Sequence, residues 1–149
     1  MTRKGLGMFA GMVRRIALLA GGMFALAFMP VAAVADSCWV HNGSLMRLKA
    51  SGNQRAFYYE YPRQTMRGAG VTHGTLLFNG SNVGGRYSGT ARVFSKYCPT
   101  TPLEYYVEGP VDRSQTRVTM RGRREVMERC QPTGRTTNDT LVFTYSHQC

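Results

Sequence analysis

Hydrophobic and polar positions alternate with a period of two along much of the chain beyond its first 35 residues. The stretch from Gly70 to Cys98 shows the pattern best. Gly70 to Phe78 is a β-rich run, Asn79-Gly80-Ser81-Asn82 carries a turn signature, and Val83 to Cys98 is a second run. Asn-Gly between two such runs is a strong short-range hairpin signal. On the second run Tyr87, Gly89, Ala91 and Val93 fall on one face, and Arg86, Ser88, Thr90 and Arg92 on the other, as a half-buried strand requires.

The same grammar predicts further strands. Ser44 to Ala50 follows an Asn42-Gly43 turn and turns Met46 and Leu48 inward. Ala56 to Tyr61 places Phe57, Tyr59 and Tyr61 on one face, and Pro62 ends it because proline cannot donate to a ladder. Those aromatics would serve either as a stacking platform for bases or sugars or as cross-strand packing. Packing is favoured, because no Lys or Arg interleaves with them. Gln64 to Ala69 and Pro99 to Pro102 read as loops. Leu103 to Gly109 reads as a strand, and so does Thr116 to Arg121, with Val118 and Met120 inward and Arg117, Thr119 and Arg121 outward. Thr140 to Ser146 closes the chain. Gly122 to Asp139 is polar and poorly periodic, with room for one short edge strand. Trp39, the single Trp, is expected buried at a sheet or barrel end.

Seven strands, or eight, at even spacing indicate an all-β domain. Short connections favour an up-and-down antiparallel meander, and closure into a small barrel would remove its edges. So small a barrel would be filled by side chains, leaving space for at most a small ligand.

The first 35 residues follow a different pattern. Arg3, Lys4, Arg14 and Arg15 precede an uncharged apolar run from Ile16 to Phe28, then Pro30 and the small-residue box Ala33-Val34-Ala35. These are the three parts of a secretory signal peptide. The alternative is an uncleaved anchor, for which the apolar run is barely long enough. Cleavage after Ala35 leaves a single domain, 36–149, which is 114 of the 149 residues. No transmembrane segment is expected in it, and the expected location is periplasmic or secreted.

Composition sharpens the picture. The chain holds 19 Lys and Arg against 8 Asp and Glu. The leader carries four of the basic residues and none of the acidic ones, so the exported domain has fifteen against eight, a net charge of +7. Such a balance favours polyanionic neighbours such as an anionic envelope polymer, while the blander and preferred reading is a solvated basic surface with no defined ligand. Another exported protein is the other partner to expect, and specific nucleic-acid recognition is not predicted. The best-defined patch is Arg117 and Arg121 on one strand face, with Arg123 and Arg124 following, and Arg129 and Arg135 beyond. Guanidinium groups bind phosphate and carboxylate through paired hydrogen bonds. An equally good reading is a basic edge that discourages strand-to-strand association.

Catalytic constellations are scarce. No G-x-S-x-G elbow surrounds Ser44. Glu104 and Glu108 lack the marks of a glycosidase pair. His73, in the loop before the central hairpin, is the remaining candidate general base. A non-enzymatic binding or envelope protein is the leading expectation, with a small secreted enzyme the more remote one. No cofactor is called for, and no C-x-x-C or histidine spacing suggests a metal.

Four Cys at positions 38, 98, 130 and 149 read as two disulfides in an exported chain. In a meander, alternate strands run in the same direction. If Gly122 to Arg129 stays an irregular loop, Cys130 lies near Cys98 and the two bridge, which leaves Cys38 with Cys149. The first and last strands meet properly only with eight strands, and an eighth placed in Gly122 to Arg129 would carry Cys130 away. The two pairings compete in that geometry, although flexible tails ease the conflict.

Several strings carry a resemblance. His41-Asn42-Gly43-Ser44, Tyr59 to Arg63, Gly74-Thr75-Leu76-Leu77-Phe78 and Tyr87-Ser88-Gly89-Thr90-Ala91 resemble a group of small exported bacterial proteins, which implies export and a β fold. Gly85-Arg86-Tyr87-Ser88-Gly89 resembles the Ser/Gly-Arg-Tyr loop of membrane-bound and periplasmic inhibitors of c-type lysozyme, themselves small exported β-barrels. That likeness implies an inhibitor of a basic enzyme, which the chain's own positive charge opposes.

Overall fold

The computed structural model describes residues 36–149, so the expected leader and its expected cleavage site lie outside the described residues. Eight antiparallel strands close into a barrel in sequence order. They are β1 (Ser37–His41), β2 (Ser44–Ser51), β3 (Gln54–Tyr61), β4 (Leu76–Val83), β5 (Arg86–Ser95), β6 (Cys98–Pro110), β7 (Arg117–Glu128) and β8 (Gln131–Gln148). A one-turn helix, α1 (Gln64–Arg67), interrupts the β3–β4 connection, where a plain loop was expected. No helix among the described residues is long and apolar enough to cross a membrane.

The eighth strand is not where the sequence suggested. It is β1, at the start of the domain, paired on one side with β2 and on the other with β8, for example Trp39↔Met46 and Trp39↔Tyr145. The segment 122–128 is instead the second half of β7, and 131–139 is the first half of β8. Together they form a long ribbon joined at Arg129 and Cys130. Both turn residues take positive φ, +47° and +69°, the twist that a two-residue hairpin turn demands.

Two further corrections concern local signals. Asn79-Gly80 is not a turn: both residues lie inside β4, with Gly80 opposite Gly89. The reversal falls at Gly84-Gly85, where both φ values are positive, between the paired Val83 and Arg86. A tight I′ turn needs two such residues, and consecutive glycines supply them without strain. Pro99 to Pro102, expected as a loop, lies within β6.

The core follows the alternation. Phe57 stacks on Phe143 at 3.9 Å between ring centroids, and Trp39 meets Phe57 and Tyr145 edge to face. Met46, Phe78, Val107, Val118 and Met120 are also fully buried. Inward side chains fill the middle of the barrel, as the small strand number requires. Trp39 is buried near the terminal rim, and its indole N–H donates to the Ser37 hydroxyl at 2.8 Å.

Strand directions define two rims. One holds the domain's termini, where Cys38 and Cys149 are bridged. The opposite rim holds the Asn42-Gly43 turn, the 62–75 connection and the Cys98–Cys130 bridge. Both expected pairings therefore form. They do not compete, because the extra strand sits at the front of the domain and leaves Cys98 and Cys130 at neighbouring strand ends. Two structural disulfides suit an oxidising environment outside the cytoplasm.

One seam is looser than the rest. β6 and β7 share a single ladder position, Glu108↔Arg121, beside the bridge Val111↔Val118. Pro99, Pro102 and Pro110 each remove a donor from β6. Toward the second rim the pairing stops, and the Cys98–Cys130 bridge, with Cα atoms 5.6 Å apart, holds the two strand ends together.

The 62–75 connection folds over that rim, with Val71 fully buried and Met66 packed against the core. It is pinned at Gly70, where φ is +80° and a Cβ would strike the carbonyl oxygen of Pro99. Gly70→Ala is therefore expected to destabilise the protein by about 2 kcal/mol or more, from strain and collision together; chemical denaturation measures it. Replacing both cysteines of a bridge by Ser should cost about 2–4 kcal/mol. The Cys38–Cys149 pair, closing 111 residues against 32, should cost about 1 kcal/mol more than Cys98–Cys130 on the loop-entropy account. Thermal unfolding of the two double variants tests the order.

Candidate functional site

The four arginines singled out on β7 separate by strand parity. Arg117, Arg121 and Arg123 are exposed on the outer face, while Val118 and Met120 are buried on the inner one. Arg124 shares the inner parity and turns into the barrel mouth, where its Nε donates to Asp139 Oδ2 at 3.1 Å. It does not belong to the outer patch.

The outer three form a row. Their partners on β8 are Thr144, Thr140 and Asn138, so no carboxylate faces them from that side. Glu108 of β6 sits opposite Arg121, but it is held by Arg86 at 3.0 Å and by the Tyr106 hydroxyl at 3.2 Å. Arg123 Nε donates to the Thr136 hydroxyl at 2.7 Å. None of the three makes an ion pair among the described residues. On a strand, Arg121 and Arg123 stand about 6.7 Å apart along the axis, and Arg117 about 13 Å before Arg121. Arg135, by contrast, is paired with Glu128.

The second rim contains a site that the sequence reading did not find. A cavity of about 310 Å³ lies in the barrel mouth, lined among others by His41, Tyr59, Arg63, Tyr105, Arg124 and Asp139. β1 and β3 deliver His41 and Tyr59, the residue after Pro62 supplies Arg63, and the inner faces of β6, β7 and β8 bring Tyr105, Arg124 and Asp139.

Its polar groups are arranged in two sets. The first is self-contained: Asp139 Oδ2 accepts from the Tyr105 hydroxyl at 2.8 Å and from Arg124, and Oδ1 accepts the Thr140 backbone N–H at 2.9 Å. Burial pushes the Asp139 pKa up, but these donors outweigh it and hold it below the ordinary value. Burial, with the carboxylate as acceptor, raises that of Tyr105.

The second set has spare capacity. His41 Nδ1–H donates to the Val142 carbonyl at 2.9 Å, which leaves Nε2 as an acceptor, 3.5 Å from the Asn42 amide nitrogen. The ring stacks on Phe143. The Tyr59 hydroxyl has no partner among the described residues. Among the described residues only Asn82 Oδ1 is sealed in without one, so the Tyr59 hydroxyl is not sealed, and Tyr59 lines the cavity. Burial raises its pKa to about 12, and the nearby Arg63 charge opposes that rise. The same Arg63 charge also lowers the His41 pKa, as burial does more strongly. Arg63 thus acts on both groups, and its guanidinium makes no ion pair among the described residues.

Other candidates are engaged elsewhere. His73 is exposed, and its Nδ1–H donates to the Glu60 carbonyl at 3.0 Å. The Glu60 carboxylate takes two hydrogen bonds from Arg47, at 2.7 and 3.0 Å. Glu104 and Glu108 share the outer face of β6 and pair with Arg92 and Arg86. In the segment resembling lysozyme inhibitors, Tyr87 is buried in the core and Arg86 is bound to Glu108. No cluster of three or more metal-binding side chains occurs among the described residues.

The geometry at His41 has a pH consequence. A depressed histidine pKa means that the unfolded chain binds the proton first, so the contribution to stability is present above about pH 6.5 and fades as pH falls below it. Urea unfolding at pH 7.5 and 5.5 should show that loss, and His41→Gln should reduce it.

Comparison with protein-family models, with curated proteins and with solved structures finds no match to this chain.

Proposed function

We propose that this is an exported, non-enzymatic binding protein of the periplasm or cell exterior, which contacts anionic envelope polymers through the outer face of β7. The observation that carries this reading is the row Arg117, Arg121 and Arg123: exposed, in line on one strand, and without an ion pair among the described residues. The carboxylates nearest its two ends accept other donors, Asp112 from the Ser114 hydroxyl and the backbone N–H groups of Thr116 and Arg117, and Glu125 from the Gly134 N–H. Three guanidinium groups on a rigid ladder suit a chain of phosphates or sulfates better than a single small anion. The signal-like leader and the two disulfides fit an extracytoplasmic site of action. The lysozyme-inhibitor alternative draws less support, because the Arg86-Tyr87 segment that would carry it is strand and core.

Retention on immobilised heparin and on lipopolysaccharide tests the proposal. Binding should weaken steeply with salt, as counterion-release interactions do. Replacing Arg117, Arg121 and Arg123 together by Ser should move elution to clearly lower salt, whereas Arg124→Gln should shift it far less. Unchanged retention of the triple variant would remove the site.

A further inference from the structure

A second cavity adjoins the barrel mouth. It measures about 560 Å³ and occupies the loosened β6–β7 seam beneath the Cys98–Cys130 bridge. Leu103, Pro102, Met127 and Val93 give it an apolar wall. Val93 and Arg124 line both cavities, so the two are neighbours with these side chains between them. One is polar and cationic, the other mainly apolar.

The charges settle what the pair of cavities can accept. Each lining carboxylate is already neutralised: Asp139 by Arg124 and the Tyr105 hydroxyl, and Glu104 by Arg92 at 2.7 Å. Among the lining groups, the Arg63 guanidinium makes no ion pair and the Tyr59 hydroxyl has no hydrogen-bond partner among the described residues, so both keep donors for a ligand. His41, held neutral by burial, neither competes with Arg63 for an anion nor adds a full charge. A free guanidinium beside a phenolic O–H is a receptor for an oxyanion. The apolar seam next to it gives a short hydrocarbon chain a place out of water.

We infer that the barrel mouth and the open β6–β7 seam form one binding site for a small anionic amphiphile, its carboxylate or phosphate head at Arg63 and Tyr59 and its chain of about eight carbons along Leu103 and Met127. The site is separate from the outer β7 row, which faces away from it. The missing ladder between β6 and β7 is then the means of access. Hydrogen-bonding strands would fill that space with backbone, whereas the disulfide keeps the barrel closed while the seam stays open.

Binding of defined probes to the oxidised protein tests this. Acetate, butanoate, hexanoate, octanoate, octyl phosphate and octanol are titrated, with nuclear magnetic resonance shifts reporting binding. Octanoate should bind at least tenfold more tightly than octanol, and affinity should rise about two- to fourfold per methylene from butanoate upward. Arg63, exposed at the rim, can be replaced without disturbing the core. Arg63→Gln should weaken octanoate at least tenfold and leave octanol unchanged. Leu103→Trp should flatten the chain-length dependence by filling the seam. The Ser triple variant of Arg117, Arg121 and Arg123 should bind octanoate as the parent does, which separates this site from the polymer-binding face. Octyl phosphate binding as well as octanoate would mark a general oxyanion head site, and weaker binding would mark a carboxylate site; both fit the inference. Equal affinity for octanol and octanoate, no dependence on chain length, or indifference to Arg63→Gln would overturn it.

Discussion

The pairing of β1 with β8 is the constraint on which the structure depends. A sheet of antiparallel strands closes in sequence order with every neighbour antiparallel only if the strand count is even. Five residues, Ser37–His41, supply the strand that makes the number eight. Without them β2 and β8 would be parallel edges with unmatched ladders, exposed to other chains. Trp39 explains why so short a strand holds. It inserts between Phe57 and Tyr145, so the closing strand is anchored by aromatic packing as well as by backbone hydrogen bonds. The Cys38–Cys149 bridge ties the same two strands covalently and keeps the closing pair from fraying.

Closure at one rim allows openness at the other. The terminal rim has the bridge and three chain reversals between paired strands. At the opposite rim the 62–75 connection covers the core with Val71 and Met66, and polar side chains line the space that remains. The β6–β7 seam lies on that side. Its ladder ends short of that rim, and a disulfide holds the two strand ends there with one local tie. A ladder would resist separation along its whole length. A single bridge resists it only at the end, which leaves a side-chain-lined gap between two stable strands.

Much of the fold was legible in the sequence because one face of most strands is buried. Where a buried face exists, alternation is strong: Phe57 and Tyr59, Tyr87 and Ala91, and Val118 and Met120 each marked the inner face, and each is buried. The pattern failed where burial is shared. In the 122–139 ribbon both faces are half-exposed, so no apolar periodicity exists to be read. Asn79-Gly80 misled for a different reason. A local turn preference yields to the register imposed by neighbouring strands, and Gly84-Gly85 offered a turn consistent with that register. The outer arginines were visible as a charge pattern. The mouth was not, because Tyr59, Arg124 and Asp139 come from three different strands, Arg63 from the connection after β3, and the set meets only through closure. Extending the β7 alternation past Arg121 would have placed Arg124 inside.

The disposition of charge on β7 and around the mouth follows from solvent access. Arg121 and Arg123 point into water, where an unpaired guanidinium costs little and a facing carboxylate adds little. Arg124, one residue further on, points inward, where an isolated charge would be costly; there Asp139 is waiting, with Tyr105 and a backbone N–H completing the carboxylate's hydrogen bonds. Arg63 sits between these extremes. It is exposed enough to be hydrated without an acidic partner, yet close enough for its charge to act on His41 and Tyr59. An unpaired cation at the boundary between water and a half-enclosed cavity keeps its attraction for anions while bearing little desolvation cost of its own. The same period-two geometry that builds the barrel therefore puts unpaired charge outside, paired charge inside, and one unpaired charge at the threshold.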